Sequence, residues 1–165
     1  MLASTVSSTP TPMATLAVLP TPASVLASAN PTAAEAELAR LVNQTRAEHG
    51  LPPYEVSDEL SRAARAHSCD LAKHALISHL SSDGLNLAQR LHGSQTAWQW
   101  PSENIAAGSD DPAIILGMWM DEPPDGPHLL NILSADQQAI GVGYCFRADD
   151  PSGNQHYWTA DFARH

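Results

Sequence analysis

An α+β fold is predicted by the order of patterns along this chain. Helical spacing of apolar residues dominates from about residue 33 to residue 91 and returns after Pro112. The last third changes to glycine-punctuated, aromatic and β-branched segments broken by one strong turn cluster. Helices first and strands last is the signature of segregated helices and an antiparallel sheet.

Taken in order, residues 1–32 are a low-complexity run of Ser, Thr, Pro and Ala, with Thr9-Pro10-Thr11-Pro12 and Leu19-Pro20-Thr21-Pro22. Proline removes backbone donors, and no apolar face develops, so a disordered or semi-extended linker is expected. Such a segment suits a tether to a wall or membrane, or O-glycosylation, and equally a featureless tail. The folded domain is expected over 33–165. Residues 33–49 place Leu38, Leu41, Val42 and Thr45 at helical spacing, and Gly50 suits the position after a helix end. Leu51-Pro52-Pro53-Tyr54 is a turn. Ser57 is an N-cap for a helix running to about Lys73, with Leu60, Ala64, His67 and Leu71 along one stripe. Asn86 to Leu91 reads as a short helix ended by Gly93, and residues 102–107 as a strand. Pro112 opens a helix carrying Ile115, Met118 and Trp119. Residues 139–146 and 155–162 flank Asp149-Asp150-Pro151-Ser152-Gly153-Asn154 and read as a hairpin.

Composition excludes several functions. The chain has 165 residues, enough for one core, and a formal net charge of −10 with Lys73 as its single lysine. An acidic surface without a basic stripe repels phosphate backbones, so nucleic acid is not an expected partner. No apolar run is long enough to cross a bilayer. The N-terminus lacks the basic start and long apolar centre of a full signal peptide; the chain is then either exported with its leader removed or not exported by that route. Two cysteines, Cys69 and Cys145, allow one bridge or two free thiols. Cys69 falls off the Leu60–Ala64–Leu71 stripe, which favours two free thiols.

Chemistry-bearing residues sit in separate local frames: Ser78-His79, Glu103-Asn104-Ile105-Ala106, and His128 leading into Asn131-Ile132-Leu133. Two imidazoles and a carboxylate that converge make a proton-handling or divalent-metal site. Left apart, each histidine is a loop-tying hydrogen-bonding group, and Glu103 a strand-end carboxylate. Ser78 beside His79 lacks the geometry and the elbow motif of a serine hydrolase. Neither cysteine has a protease frame. His67 reads as a core histidine with one satisfied hydrogen bond, and His49, His74, His92, His156 and His165 as surface. Trp98 and Trp100 precede Glu103 and suit either loop packing or an apolar rim for a lipid or peptide.

These frames, in this order, resemble the CAP superfamily of cysteine-rich secretory, antigen 5 and pathogenesis-related proteins, in its bacterial SCP-like branch. The likeness runs over roughly 36–163. It is carried by Leu41-Val42-Asn43-Gln44-Thr45-Arg46, Gly50-Leu51-Pro52-Pro53, His67-Ser68, Asp70-Leu71-Ala72, Ser78-His79, Asp83-Gly84, Glu103-Asn104-Ile105-Ala106, Trp119-Met120, His128, Asn131-Ile132-Leu133, Ile140-Gly141-Val142-Gly143 and Tyr157-Trp158-Thr159. The resemblance implies a three-layer α-β-α sandwich around a central antiparallel sheet. It also implies a cleft lined by His79, Glu103, Glu122 and His128, with Asp121 the neighbouring choice for the second acid. Two departures stand out. Pro123-Pro124-Asp125-Gly126-Pro127 is longer than the usual bacterial connection, and Leu129 stands where bacterial members usually carry an arginine. The implied function is a secreted or surface-tethered monomeric binding module rather than an enzyme. His79 and His128 would hold a divalent metal such as Zn²⁺, and a small apolar, lipid or peptide ligand would be the partner. A metal-dependent hydrolase with Glu103 as base, or a wall-associated structural domain, are the alternatives.

Overall fold

A computed structural model describes residues 32–165, so the linker expected over 1–32 lies outside the described residues apart from Thr32. Thr32 caps helix α1 (Ala33–Glu48) through a capping box, its hydroxyl accepting from Glu35 N while the Glu35 carboxylate accepts from Thr32 N. The helix ends ahead of Gly50, whose φ of +72° suits a residue without a Cβ. Strand β1 (Glu55–Val56) follows, then helix α2 (Asp58–His74), capped by Ser57 as expected. A short helix α3 (Leu87–Arg90), capped by Asn86, precedes strand β2 (Gln99–Ala107). Helix α4 (Pro112–Met120), helix α5 (Pro127–Ile132) and strands β3 (Ala139–Phe146) and β4 (His156–Arg164) complete the chain.

The sheet runs β1-β3-β4-β2. β3, β4 and β2 are antiparallel, as the hairpin reading requires, and β1 adds a two-residue parallel pairing to β3 at one edge. Alternation along each strand assigns side chains to two faces. Tyr157, Thr159, Asp161 and Ala163 of β4 lie on the same face as Gly141, Gly143 and Cys145 of β3. α2 and α3 cover that face through Leu60, Leu71, Ala72 and Leu87. Trp158, Ala160 and Phe162 face the other way, onto α1, α4 and α5, where Leu38, Val42, Ile115, Trp119 and Ile132 close the main core. The three-layer arrangement is the expected one.

Both edges of the sheet are covered by side chains. At β3, Glu35 of α1 accepts from Tyr144 N at 2.9 Å and from Arg65 Nε of α2 at 2.8 Å, so one buried ion pair joins the outer layers around the edge. Burial alone would raise the Glu35 carboxyl, but these donors and the Arg65 charge hold it below the usual range. At β2, Trp119 Nε1 donates to Ile105 O at 3.1 Å and Asn131 Nδ2 reaches Glu103 O at 3.4 Å. Edge carbonyls that would otherwise template another strand are occupied.

α2 lies close against β3. A Cβ at Gly141 would overlap the backbone of Leu60 and Ser61, and one at Gly143 that of Ala64 and Arg65. Ser68 Oγ marks the contact, donating within the pair it makes with Gly143 O (3.0 Å) and Thr159 Oγ1 (2.9 Å). That approach overturns the expectation of two free thiols: Cys69 and Cys145 are bridged, with Cα atoms 5.0 Å apart. The Leu60–Ala64–Leu71 stripe is too narrow a description of α2. Its buried arc also takes in Ser61, Arg65, Ser68 and Ala72, and the backbone proximity brings Cys69 within reach. The bridge spans 76 residues and encloses His79, Glu103, Glu122 and His128.

Other differences are local. β1 and α5 carry no periodic apolar pattern because they are two and six residues long. β2 starts at Gln99 rather than 102, through a register shift that puts Trp100 at φ +53°. Met118 of α4 is exposed.

Candidate functional site

β2 is an edge strand, and the candidate residues gather around it from both outer layers. Its Glu103 side chain points to the α2 face and Asn104 to the other. On the first face, Glu103 Oε1 accepts from His79 Nδ1 at 2.8 Å. Oε2 accepts from Arg90 Nη2 at the end of α3. Glu103 is 8% exposed, whereas the His79 side chain is 62% exposed. The carboxylate therefore sits at the bottom and the imidazole at the surface. An ionised carboxylate only accepts, so Nδ1 carries the hydrogen and Nε2 is the ring nitrogen left free of Glu103.

Arg90 was not foreseen. Its Nη1 holds the loop that carries His79, donating to His79 O (3.1 Å), Ser81 Oγ (3.4 Å) and Leu85 O (3.3 Å). His67 also belongs here, and it makes two hydrogen bonds rather than one. Nε2 donates to Ser78 O (3.0 Å) and Nδ1 contacts Ser81 Oγ (3.2 Å). Burial pushes the His67 pKa down, against the pull of nearby Glu103. His67 thus works as a neutral clamp on the 78–81 loop.

On the opposite face, His128 Nδ1 meets Glu122 Oε1 at 2.6 Å. Glu122, and not Asp121, makes this contact. Its Oε2 also accepts from His128 N at 3.1 Å. α5 has Gly126 at its N-cap position and no side-chain cap of its own, so Glu122 supplies one from outside. The long Pro123–Pro127 connection does not separate the pair. It turns back through Gly126 N to Pro123 O (2.7 Å), and a Cβ on Gly126 would overlap the Glu122 carboxylate. Partial burial would raise the Glu122 carboxyl, but the His128 ring, its charge and the backbone donors of His128 and Leu129 hold it below the usual range. The Asn104–Asn131 amide pair (2.8 Å) and Asn104 Nδ2 to His128 O (3.0 Å) fasten α5 to β2.

The two units share one design. In each, a carboxylate fixes Nδ1 of a histidine and leaves Nε2 without a protein partner among the described residues. That is the orientation used when a carboxylate backs a metal-ligating or proton-transferring imidazole. Among the described residues, no three His, Cys, Asp or Glu side chains come together as a ligand set for an ion. The aromatic pair divides: Trp98 donates to Glu59 and lies against His165, while Trp100 is exposed beside Arg164. Of the histidines assigned to the surface, His156 is half-buried and bonds Tyr144 Oη at 2.7 Å.

Residues 39–162 match the model of the cysteine-rich secretory protein family, CAP. The chain is a member of the CAP family. The protein YkwD of Bacillus subtilis (strain 168) is 31% identical over 113 residues, 68% of this chain and 43% of that protein. An extracellular SCP-domain protein from Bacillus anthracis superimposes with a TM-score of 0.68 and 26% identity, over 80% of this chain and 40% of its own. An outer surface protein from Borrelia burgdorferi shares the fold with a TM-score of 0.70 and 20% identity, over 80% of this chain and 92% of its own. The chain thus spans less than half of the two Bacillus relatives.

Within this CAP domain the Glu122 tie has a direct test. Glu122→Ala is expected to mobilise α5 and release His128, read as faster amide exchange across 128–132 and loss of a single Nδ1–H tautomer by NMR. A carboxyl held low in the folded state contributes stability above the unfolded carboxylate range and loses it as pH falls through the lowered value. The same loss of amide protection across 128–132 is therefore expected to appear in the wild type on acidification through that lowered value. An unchanged α5 in Glu122→Ala refutes the capping role.

Proposed function

We propose that this CAP domain is a binding module working outside the cytoplasm, with His79 and His128 as its ligand-facing groups. One observation carries the reading: both imidazoles are held through Nδ1 by a carboxylate, which leaves Nε2 without a protein partner among the described residues. His79 and His128 would hold a divalent cation such as Zn²⁺ through Nε2, where it would supply a Lewis-acid centre. With two protein ligands the remaining positions fall to water or to an incoming ligand, which suits exchange rather than a structural role. His79 and Glu103 border a shallow hollow with Leu80, Leu87, Ala88 and Pro101, a surface for a small apolar or peptide ligand. The Cys69–Cys145 bridge supports an oxidising compartment, as does the extracellular setting of the Bacillus anthracis protein.

The hydrolase alternative with Glu103 as base lacks geometric support. Both Glu103 oxygens are engaged, and the side chain is covered. The proton acceptor this arrangement offers is His79 Nε2.

Calorimetry with Zn²⁺ is expected to show one site in the wild type, at least tenfold weaker in His79→Ala and in His128→Ala. Affinity is expected to fall on acidification because protons compete for the same nitrogens. Equal affinity in the double variant, or affinity indifferent to pH, refutes histidine ligation.

A further inference from the structure

Directly across from Glu103, in register on β4, stands Asp161. The outward-turned carbonyls of Glu103 and Ile105 show that these residues direct their backbones away from β4. Glu103 and Asp161 are therefore a non-hydrogen-bonded cross-strand pair, whose Cβ atoms lie about 4.5–5.5 Å apart. Asp161 is 0% exposed. Neither of its oxygens meets an N–H or O–H donor among the described residues. On its other flank is Gly141, which offers no side chain, and α2 closes over both.

The charged and titratable groups facing this spot are few. β2 brings Glu103 and the end of α3 brings Arg90, while His67 of α2 (3.7 Å) and His79 of the 78–81 loop (2.8 Å) lie against Glu103. Arg65 of α2 is turned away to Glu35. Arg90 spends Nη2 on Glu103 and Nη1 on three loop oxygens, and its Nε bonds nothing among the described residues. His67 has both nitrogens on the 78–81 loop. An ionised Asp161 would be a buried charge with no donor, beside a second carboxylate, which is among the costliest arrangements a core can hold.

We propose that Asp161 is a third acid of this site, standing as a neutral carboxylic acid that donates its O–H to Glu103. Burial, the Glu103 charge and a hydrogen bond to Glu103 all raise the Asp161 pKa, and Arg90 offsets only part of that. Glu103 then takes three donors: His79 Nδ1–H, Arg90 Nη2–H and Asp161 O–H. A carboxylate so held keeps its rotamer, and it keeps His79 in the tautomer that exposes Nε2. Asp161 is a positioning residue, acting on the ligand-facing ring through Glu103. This deepens the reading of His79 as a ligand-facing group, but it is tested without metal.

An acid that keeps its proton in the folded state while the unfolded chain has lost its own contributes fully below the unfolded aspartate range. That contribution is lost as pH rises through the folded pKa. Asp161→Asn retains a donor and cannot ionise. Relative to wild type, its folding equilibrium constant is expected to rise about tenfold for each pH unit above the ordinary aspartate range, until Asp161 itself ionises. Infrared spectroscopy of the metal-free wild type near neutrality is expected to show a protonated carboxyl band that Asp161→Asn removes. NMR of His79 is expected to show the Nδ1–H tautomer kept in Asp161→Asn and mixed in Asp161→Val. A pH-independent stability difference, absence of the band in wild type, or a band removed by Glu103→Gln alone overturns the proposal. Absence of the band in the wild type overturns the proposal even where a variant fails to fold, and either variant that does fold assigns the band to Asp161 or to Glu103. Zn²⁺ titration reports separately on metal binding, and its failure leaves these outcomes untouched.

Discussion

Gly143→Ala is expected to destabilise the domain by about 3 kcal/mol or more, with a fall in midpoint of roughly 10 °C. The added methyl has no flexible neighbour to displace. It meets the backbone of Ala64 and Arg65, so α2 must lift away from β3 as a unit. Lifting strains the Ser68 hydrogen bonds to Gly143 and Thr159 and pulls on the Cys69–Cys145 bridge. Gly117 provides the contrast. It is an exposed residue inside α4 with open space at its Cβ position. There the same substitution is expected to add up to about 1 kcal/mol through helix propensity. Denaturant unfolding of both variants measures the difference. Equal midpoints would show that α2 does not rest on the strand backbone.

Replacing both cysteines by serine is expected to cost about 3 kcal/mol, the second of the large effects. A cross-link over 76 residues removes on the order of 4 kcal/mol of unfolded-state entropy, before any relaxation. Urea unfolding of the double variant, and of wild type with and without reductant, gives the value. The two perturbations share α2, so they should not add. Without the bridge the helix lifts more easily, and Gly143→Ala is expected to cost less in the serine background. Strict additivity would place the glycine contact and the bridge in independent parts of the structure.

Much of this was legible in the sequence, and the exceptions have a common cause. Ser57, Asn86 and Pro112 announced their helices because capping is local chemistry written in adjacent residues. The β3–β4 hairpin was visible because alternation and turn residues are equally local. The bridge was not, because it depends on how close α2 comes to β3. The signal was present in Gly141-Val142-Gly143-Tyr144-Cys145, where period two puts both glycines and the cysteine on one face. His79, Glu103, Glu122 and His128 were read from family order, and the structure sorts them into two histidine–carboxylate pairs flanking β2. Arg90 and Asp161 have no site role in the sequence reading, for different reasons. An arginine at the end of a four-residue helix carries no local signal. Asp161, however, is an acid on an otherwise buried strand, and that interruption is itself the sign of a partner across the sheet.

The bridge also bears on what a protease would leave behind. Residues 76–80 connect α2 to the site and present Leu76, Ile77 and Leu80 to solvent, an accessible stretch for cleavage. A cut there falls between Cys69 and Cys145, so the two fragments stay covalently joined. The nicked protein would keep its mass on a non-reducing gel and separate into two bands only after reduction. Arg90 and Glu103 would still grip the His79 side of the cut, and the layers would remain docked. A CAP domain clipped in this way would persist as a two-chain molecule, with the free ends created beside the exposed imidazole.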